Sequence, residues 1–228
     1  MNIGIIIAVI LGLLVLSVVI TGIIQKREQI AAQKRQRAAQ YYYRAQNAQD
    51  MIELMRAIPV PSEIIQFLMS LSVQSLKTAR SIWPKQLNIS REIEKAELRL
   101  QGYKPRANSR IPLPKDEQSL TLTTAHLKKF MHYLSALKNA SVLPENHFNQ
   151  WNKKLYEDLA RIDIEGLLKL ATRAVDNSKP GTAKSFLALA KSKIDFYSID
   201  PAYKNEQLQL LLNLEQQIQT DKEQQTNK

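Results

Sequence analysis

Residues 164–195 run IEGLLKLATRAVDNSKPGTAKSFLALAKSKID. Leu167, Leu170, Ala171 and Ala174 recur at three- and four-residue spacing, the repeat of one α-helical face. Beyond Asn177, Ser178 and Lys179 the same spacing returns in Ala183, Phe186, Leu187, Ala190 and Ile194. Pro180 suits the first turn of that second helix, where a missing N–H leaves no backbone bond unmade. The small residues on both faces let two antiparallel helices approach closely. The stretch therefore predicts a helical hairpin, and reading outward from it predicts an all-α chain.

Toward the C-terminus, Asp200-Pro201 supplies a cap and a first-turn proline for another helix, rich in leucine from Leu208 to Leu214. After Ile218 the chain is rich in Gln, Lys and Thr, and residues 219–228 are expected to form a disordered tail. Toward the N-terminus, one helix begins near Pro144 and carries Phe148, Trp151, Leu155, Leu159 and Ile162; a separate helix is expected from about Asp163. An earlier helix places Leu120, Leu127, Phe130, Met131, Leu134 and Leu137 on one side. Together these make a helical domain over residues 115–218. Tyr103 to Pro114, with three prolines and three basic residues, is the linker candidate. Residues 62–102 read as a helical pair, with Pro84 ending the first helix. Asn88 or Ser90 would cap the second, and Gly102 is its expected left-handed stop. No segment has the sustained alternation of a strand.

Residues 25–58 hold good helix formers and no Gly or Pro before Pro59. Ala38, Tyr41, Ala45, Ala48, Ile52 and Met55 form a short apolar seam, suited to packing on its own domain or to a dimer stalk. Ahead of it, the 22 residues from Ile3 to Ile24 carry no charge. As a helix they would extend about 33 Å, enough for a hydrocarbon core of about 30 Å. This predicts a single N-terminal transmembrane helix rather than a cleaved leader, since basic residues follow the run instead of preceding it. Lys26, Arg27, Lys34, Arg35 and Arg37 after the span predict an outside N-terminus and a cytoplasmic C-terminal body. Within the run Gly4, Ala8 and Gly12 form a small-residue stripe, a candidate face for helix–helix contact in a homodimer. The absence of cysteine excludes disulfides and thiolate metal sites.

The net charge of +11 is unevenly placed. Residues 25–49 carry six basic residues against one acidic, and residues 77–115 ten against three, whereas the C-terminal half is nearly neutral. Arg91, Lys95 and Arg99 recur every four residues as a basic stripe, followed by Lys104, Arg106 and Arg110. Such a stripe could rest on lipid headgroups or on nucleic acid, although Glu92, Glu94 and Glu97 interleave with it.

Catalytic chemistry finds little support. Lys179-Pro-Gly-Thr-Ala-Lys-Ser185 lacks the glycines of a phosphate-cradling loop and follows a helix instead of a strand. His126, His132 and His147 contain no pair at one-turn spacing, so neither metal nor cofactor is implied. Ser135 and Lys138 form an isolated SxxK on an amphipathic helix; Glu157 and Asp158 are adjacent and diverge. Tyr41, Tyr42 and Tyr43 cover three directions of one helix and suit packing or partner contact.

On the residues given above, Ile164 to Asp195 resembles one tetratricopeptide repeat, with Leu167, Ala174 and Leu187 at its aromatic positions and Asp195 in place of the closing proline. One such unit implies a helical hairpin; a peptide groove usually needs three or more. The layout of anchor, basic helix and helical body also looks like a group of small proteobacterial single-pass inner-membrane proteins. The expectation is a membrane-anchored interaction or scaffold protein in the bacterial inner membrane, meeting the lipid bilayer and a protein partner, with no enzymatic activity. The alternative is a membrane-tethered nucleic-acid binder using residues 77–115.

Overall fold

A computed structural model describes the backbone of residues 3–105 and 110–226, with side chains at Leu14 and over 17–105 and 110–220. The described residues form α1 (Ile3–Leu54), α2 (Ser62–Ile82), α3 (Ile89–Gln101), α4 (Glu117–Asn139), α5 (Glu145–Asp176), α6 (Pro180–Phe196) and α7 (Pro201–Thr226), with no strand among them. They fall into two compact units, one of residues 1–50 with 66–104 and one of residues 51–65 with 105–228.

The fold class needs one correction. Among the described residues no helix is long and apolar enough to cross a membrane, so the transmembrane helix expected at Ile3–Ile24 does not stand. Side chains of α1 are described at Leu14 and from Ser17 onward, and from Gln25 the helix turns polar and basic with Lys26 and Arg27. Gly4, Ala8 and Gly12 lie outside the described side chains, as Arg106 does.

In the first unit the α1 seam turns inward. Ala45 packs with Val73, Leu76 and Ala79 of α2 and with Ile89, Ile93 and Ala96 of α3, while Tyr41, Tyr42 and Leu100 close over them. Alanines on α1 keep the helices close. Gln49 Nε2 donates to Ser72 Oγ at 2.9 Å, satisfying a serine that is almost fully buried. The ends of α3 depart from expectation. Asn88 is left-handed (φ 66°) and makes no side-chain cap, whereas Gly102 is right-handed (φ −79°), its N–H bonded to the Leu98 carbonyl at 2.9 Å. Asparagine is one of the few side chains that tolerate the left-handed region, so the special conformation moved to the start of the helix.

The second unit is organised by α5. It is one helix from Glu145 to Asp176 rather than two meeting at Asp163. No proline interrupts the stretch, and Gly166 alone costs a helix only about 1 kcal/mol relative to alanine. Gly166 sits where α4 crosses closely: a Cβ there would lie 2.8 Å from Leu120 Cδ1. Asp116 caps α4, accepting from the Ser119 N–H while Ser119 Oγ accepts from the Asp116 N–H. Those bonds hold the Asp116 carboxyl below the usual carboxylate range. Asp200 caps α7 through the Ala202 and Tyr203 N–H groups, as its sequence predicts. α6 folds back along α5, burying Ala183, Leu187, Ala190 and Ile194, with α7 against both.

Residues 110–115 are tied down. Arg161 donates to the Ile111 carbonyl at 2.6 Å, Arg173 to the Lys115 carbonyl, and Arg110 pairs with Glu165 at 2.9 Å. Ile111 and Pro114 are buried, so the second half of the proline-rich segment lies as a strap on α5.

Candidate functional site

Charged residues enter the buried face of α5 at Arg161 (8 % exposed) and Asp163 (5 % exposed). Two networks follow. Asp163 accepts from the Tyr197 hydroxyl and lies 3.4 Å from Lys193 Nζ on α6. Burial, reinforced by Asp163, pushes the Tyr197 phenol far above its usual range, so it stays protonated and can donate to Asp163. Arg161 carries the second network, with Glu165 at 3.5 Å and Asp158 at 3.9 Å besides the Ile111 carbonyl. Desolvation raises the Asp158 carboxyl despite Arg161 nearby. Glu165 is the junction: one of its oxygens receives Arg110 at 2.9 Å and the Tyr203 hydroxyl at 3.2 Å.

This junction forms one wall of a cleft of about 480 Å³ between the strap, α5 and α7. Leu113, Leu168 and Leu210 give it an apolar side. Arg110, Glu165, Tyr203, Glu206 and Gln207 give it a polar one. Gln207 is only 3 % exposed, and its Oε1 has no hydrogen-bond partner among the described residues. Glu206 is exposed and enters no ion pair among the described residues. Sequence reading did not find this cleft. Its one available signal was Arg161 and Glu165, one turn apart within a run of Ile and Leu, where opposite charges must be satisfied internally.

The residues singled out from sequence lie elsewhere. Lys26, Arg27, Lys34, Arg35 and Arg37 are all exposed on α1, Arg35 standing over the Trp83 ring at 4.8 Å. Upstream, Leu14, Val18, Val19, Ile20, Ile23 and Ile24 are each about half exposed or more. Arg91, Lys95 and Arg99 are exposed along α3. Two of the interleaved acids are occupied: Glu92 accepts from the Tyr42 hydroxyl at 2.9 Å, and Glu97 pairs with Lys77 at 2.6 Å. Burial and Glu92 together raise the Tyr42 phenol. Tyr41 packs on the core with Arg44 at its face, and Tyr43 points outward.

The polar motifs set aside in the sequence are engaged structurally. Lys138 of the SxxK pairs with Glu145 at 3.2 Å and covers the Phe148 ring. His147 stacks on Trp151, and His132 is exposed. Among the described residues no three His, Asp or Glu side chains converge as metal ligands. Comparison with known proteins finds no family model, curated relative or solved structure that matches the chain.

Proposed function

We propose that this chain is a non-enzymatic interaction protein that works at a lipid surface and offers its helical body to a protein partner. One observation carries the proposal: Val18, Val19, Ile20, Ile23 and Ile24 are exposed by 48–71 %, with nothing among the described residues covering them. Successive helical positions turn by about 100°, so these side chains spread over roughly two thirds of the helix surface. A partner protein with one apolar face would leave the others in water, whereas acyl chains can reach all of them. Each fully buried side chain of this kind contributes about 1.5–3 kcal/mol. Lys26, Arg27, Lys34, Arg35 and Arg37 follow at once, where anionic headgroups add about 1 kcal/mol per charge.

Flotation of the full chain tests this. The protein is expected to rise with phosphatidylcholine vesicles, and more completely once phosphatidylglycerol is added. Asparagine at Val18, Ile20, Ile23 and Ile24 should leave it at the bottom of the gradient. Glutamate at Lys26, Arg27 and Lys34 should remove only the phosphatidylglycerol preference. A wild-type chain that stays at the bottom with both vesicles would sink the proposal.

A nucleic-acid alternative is favoured by a separate observation, the occupation of Glu97 by Lys77. With Glu97 paired to Lys77, Arg91, Lys95 and Arg99 present a stripe opposed, among the interleaved acids, by Glu92 and Glu94. Fluorescence anisotropy of labelled DNA and RNA against the full chain should then show binding that falls with salt, by a log–log slope of about 0.9 for each phosphate contact. Charge reversal at all three residues should abolish it. Absence of wild-type binding at low salt would end the alternative.

A further inference from the structure

We infer that the cleft formed by the strap, α5 and α7 binds an alkylammonium or guanidinium group carried on an apolar stem. The inference goes beyond the lipid-surface proposal, since it uses residues of the second unit only. Gln207 carries a hydrogen-bond acceptor, Oε1, that is withdrawn from water and has no donor among the described residues. A buried acceptor left in that state is costly, and a donor arriving from outside would relieve it. Glu206 stands next to it on α7 with a free carboxylate at the rim. On the opposite wall Glu165 is already bonded to Arg110, whose guanidinium is largely exposed. Arg110 thus shows the kind of group these acceptors take.

Charge selects the ligand further. The lining holds two carboxylates against one arginine, in a chain whose overall charge is +11. An anion would meet Glu165 and Glu206, and among the described lining residues the one cation, Arg110, is already paired with Glu165. A purely apolar molecule would leave Gln207 Oε1 and both carboxylates without donors. A cation on a hydrocarbon stem satisfies both sides, its head among the acceptors and its stem on Leu113, Leu168 and Leu210. The volume of about 480 Å³ lies in the ordinary range for small-ligand sites.

The same chemistry is found in a free diamine and in a lysine or arginine side chain of a protein partner. Calorimetric titration of the full chain with 1,5-diaminopentane and, separately, with the peptide acetyl-Leu-Lys-Leu-amide distinguishes them. Saturable binding of the diamine identifies a free amine as the ligand, and binding of the peptide alone identifies a partner's side chain. Glu206→Gln and Gln207→Leu should each weaken the binding by about tenfold or more. Glu206 is exposed and Gln207→Leu removes an unpaired buried acceptor, so both variants should keep wild-type thermal unfolding or improve on it. Sodium acetate should give no binding. The inference is overturned if neither cation binds at millimolar concentration, if acetate binds equally well, or if both variants retain wild-type affinity.

Discussion

Arg161→Ala is expected to destabilise the chain by about 3–5 kcal/mol, the range for removing one member of a buried ionic network. The side chain is 8 % exposed and joins three features: the Ile111 carbonyl, Glu165 and Asp158. Its removal leaves a buried carbonyl without a donor and takes away the charge opposing Asp158, whose carboxyl desolvation already raises. It also frees the strap at the point where Ile111 is buried. The loss should appear as a lower urea midpoint with an unchanged slope. Arg161→Met separates packing from charge, since it keeps the aliphatic stem but none of the donors, and should recover only a minor part of the loss. Arg56→Ala is the control. Its pairing with Glu53 at 3.0 Å is exposed on both sides, and such pairs contribute about 0–1 kcal/mol. If Arg161→Ala cost no more than Arg56→Ala, the network would not be holding the strap.

Helix positions were legible where backbone chemistry leaves a mark. Pro180 and Pro201 each open a helix, and Asp200 caps one. The inward faces of the hairpin were legible for a related reason: Leu167, Leu170, Ala171 and Ala174 keep helical period and are all buried. Misreadings arose where a polar residue has two physical uses. Asp163 looks like a helix start because aspartate accepts from free N–H groups at an N-terminus. Here it lies within α5 and receives the Tyr197 hydroxyl from a position 34 residues away. Proline-rich residues 110–114 similarly suggest a free linker, and only the distant Arg161 and Glu165 reveal a strap. The cleft depends on such pairings, so local pattern could not disclose it. The uncharged stretch Ile3–Ile24 suggested a membrane span by length alone. Among the described residues no helix is long and apolar enough to cross a membrane, and what the structure contributes instead is the exposure of Leu14, Val18, Val19, Ile20, Ile23 and Ile24.

Phe130→Ala is expected to cost about 3–5 kcal/mol, for a reason distinct from the ionic network. Phe130 heads the fully buried side chains by size, at 0 % exposure, on the face of α4 that carries Leu127, Leu134 and Leu137. Truncation removes the transfer free energy of the ring and leaves a cavity whose walls can close only partly. At Gly166 of α5 a Cβ would lie 2.8 Å from Leu120 Cδ1 of α4, so the two helices already pack closely at that end of the interface. Phe130→Leu, which leaves a smaller cavity, should cost roughly 1–2 kcal/mol. Both values follow from chemical denaturation monitored by far-ultraviolet circular dichroism. A loss below about 1 kcal/mol for Phe130→Ala would mean that α4 can shift after all, and would make Gly166 dispensable. In that case Gly166→Ala should stabilise the helix by roughly its propensity difference, about 1 kcal/mol. If instead the contact is as rigid as the geometry indicates, the Leu120 clash should cancel that gain, and Gly166→Leu should be strongly destabilising.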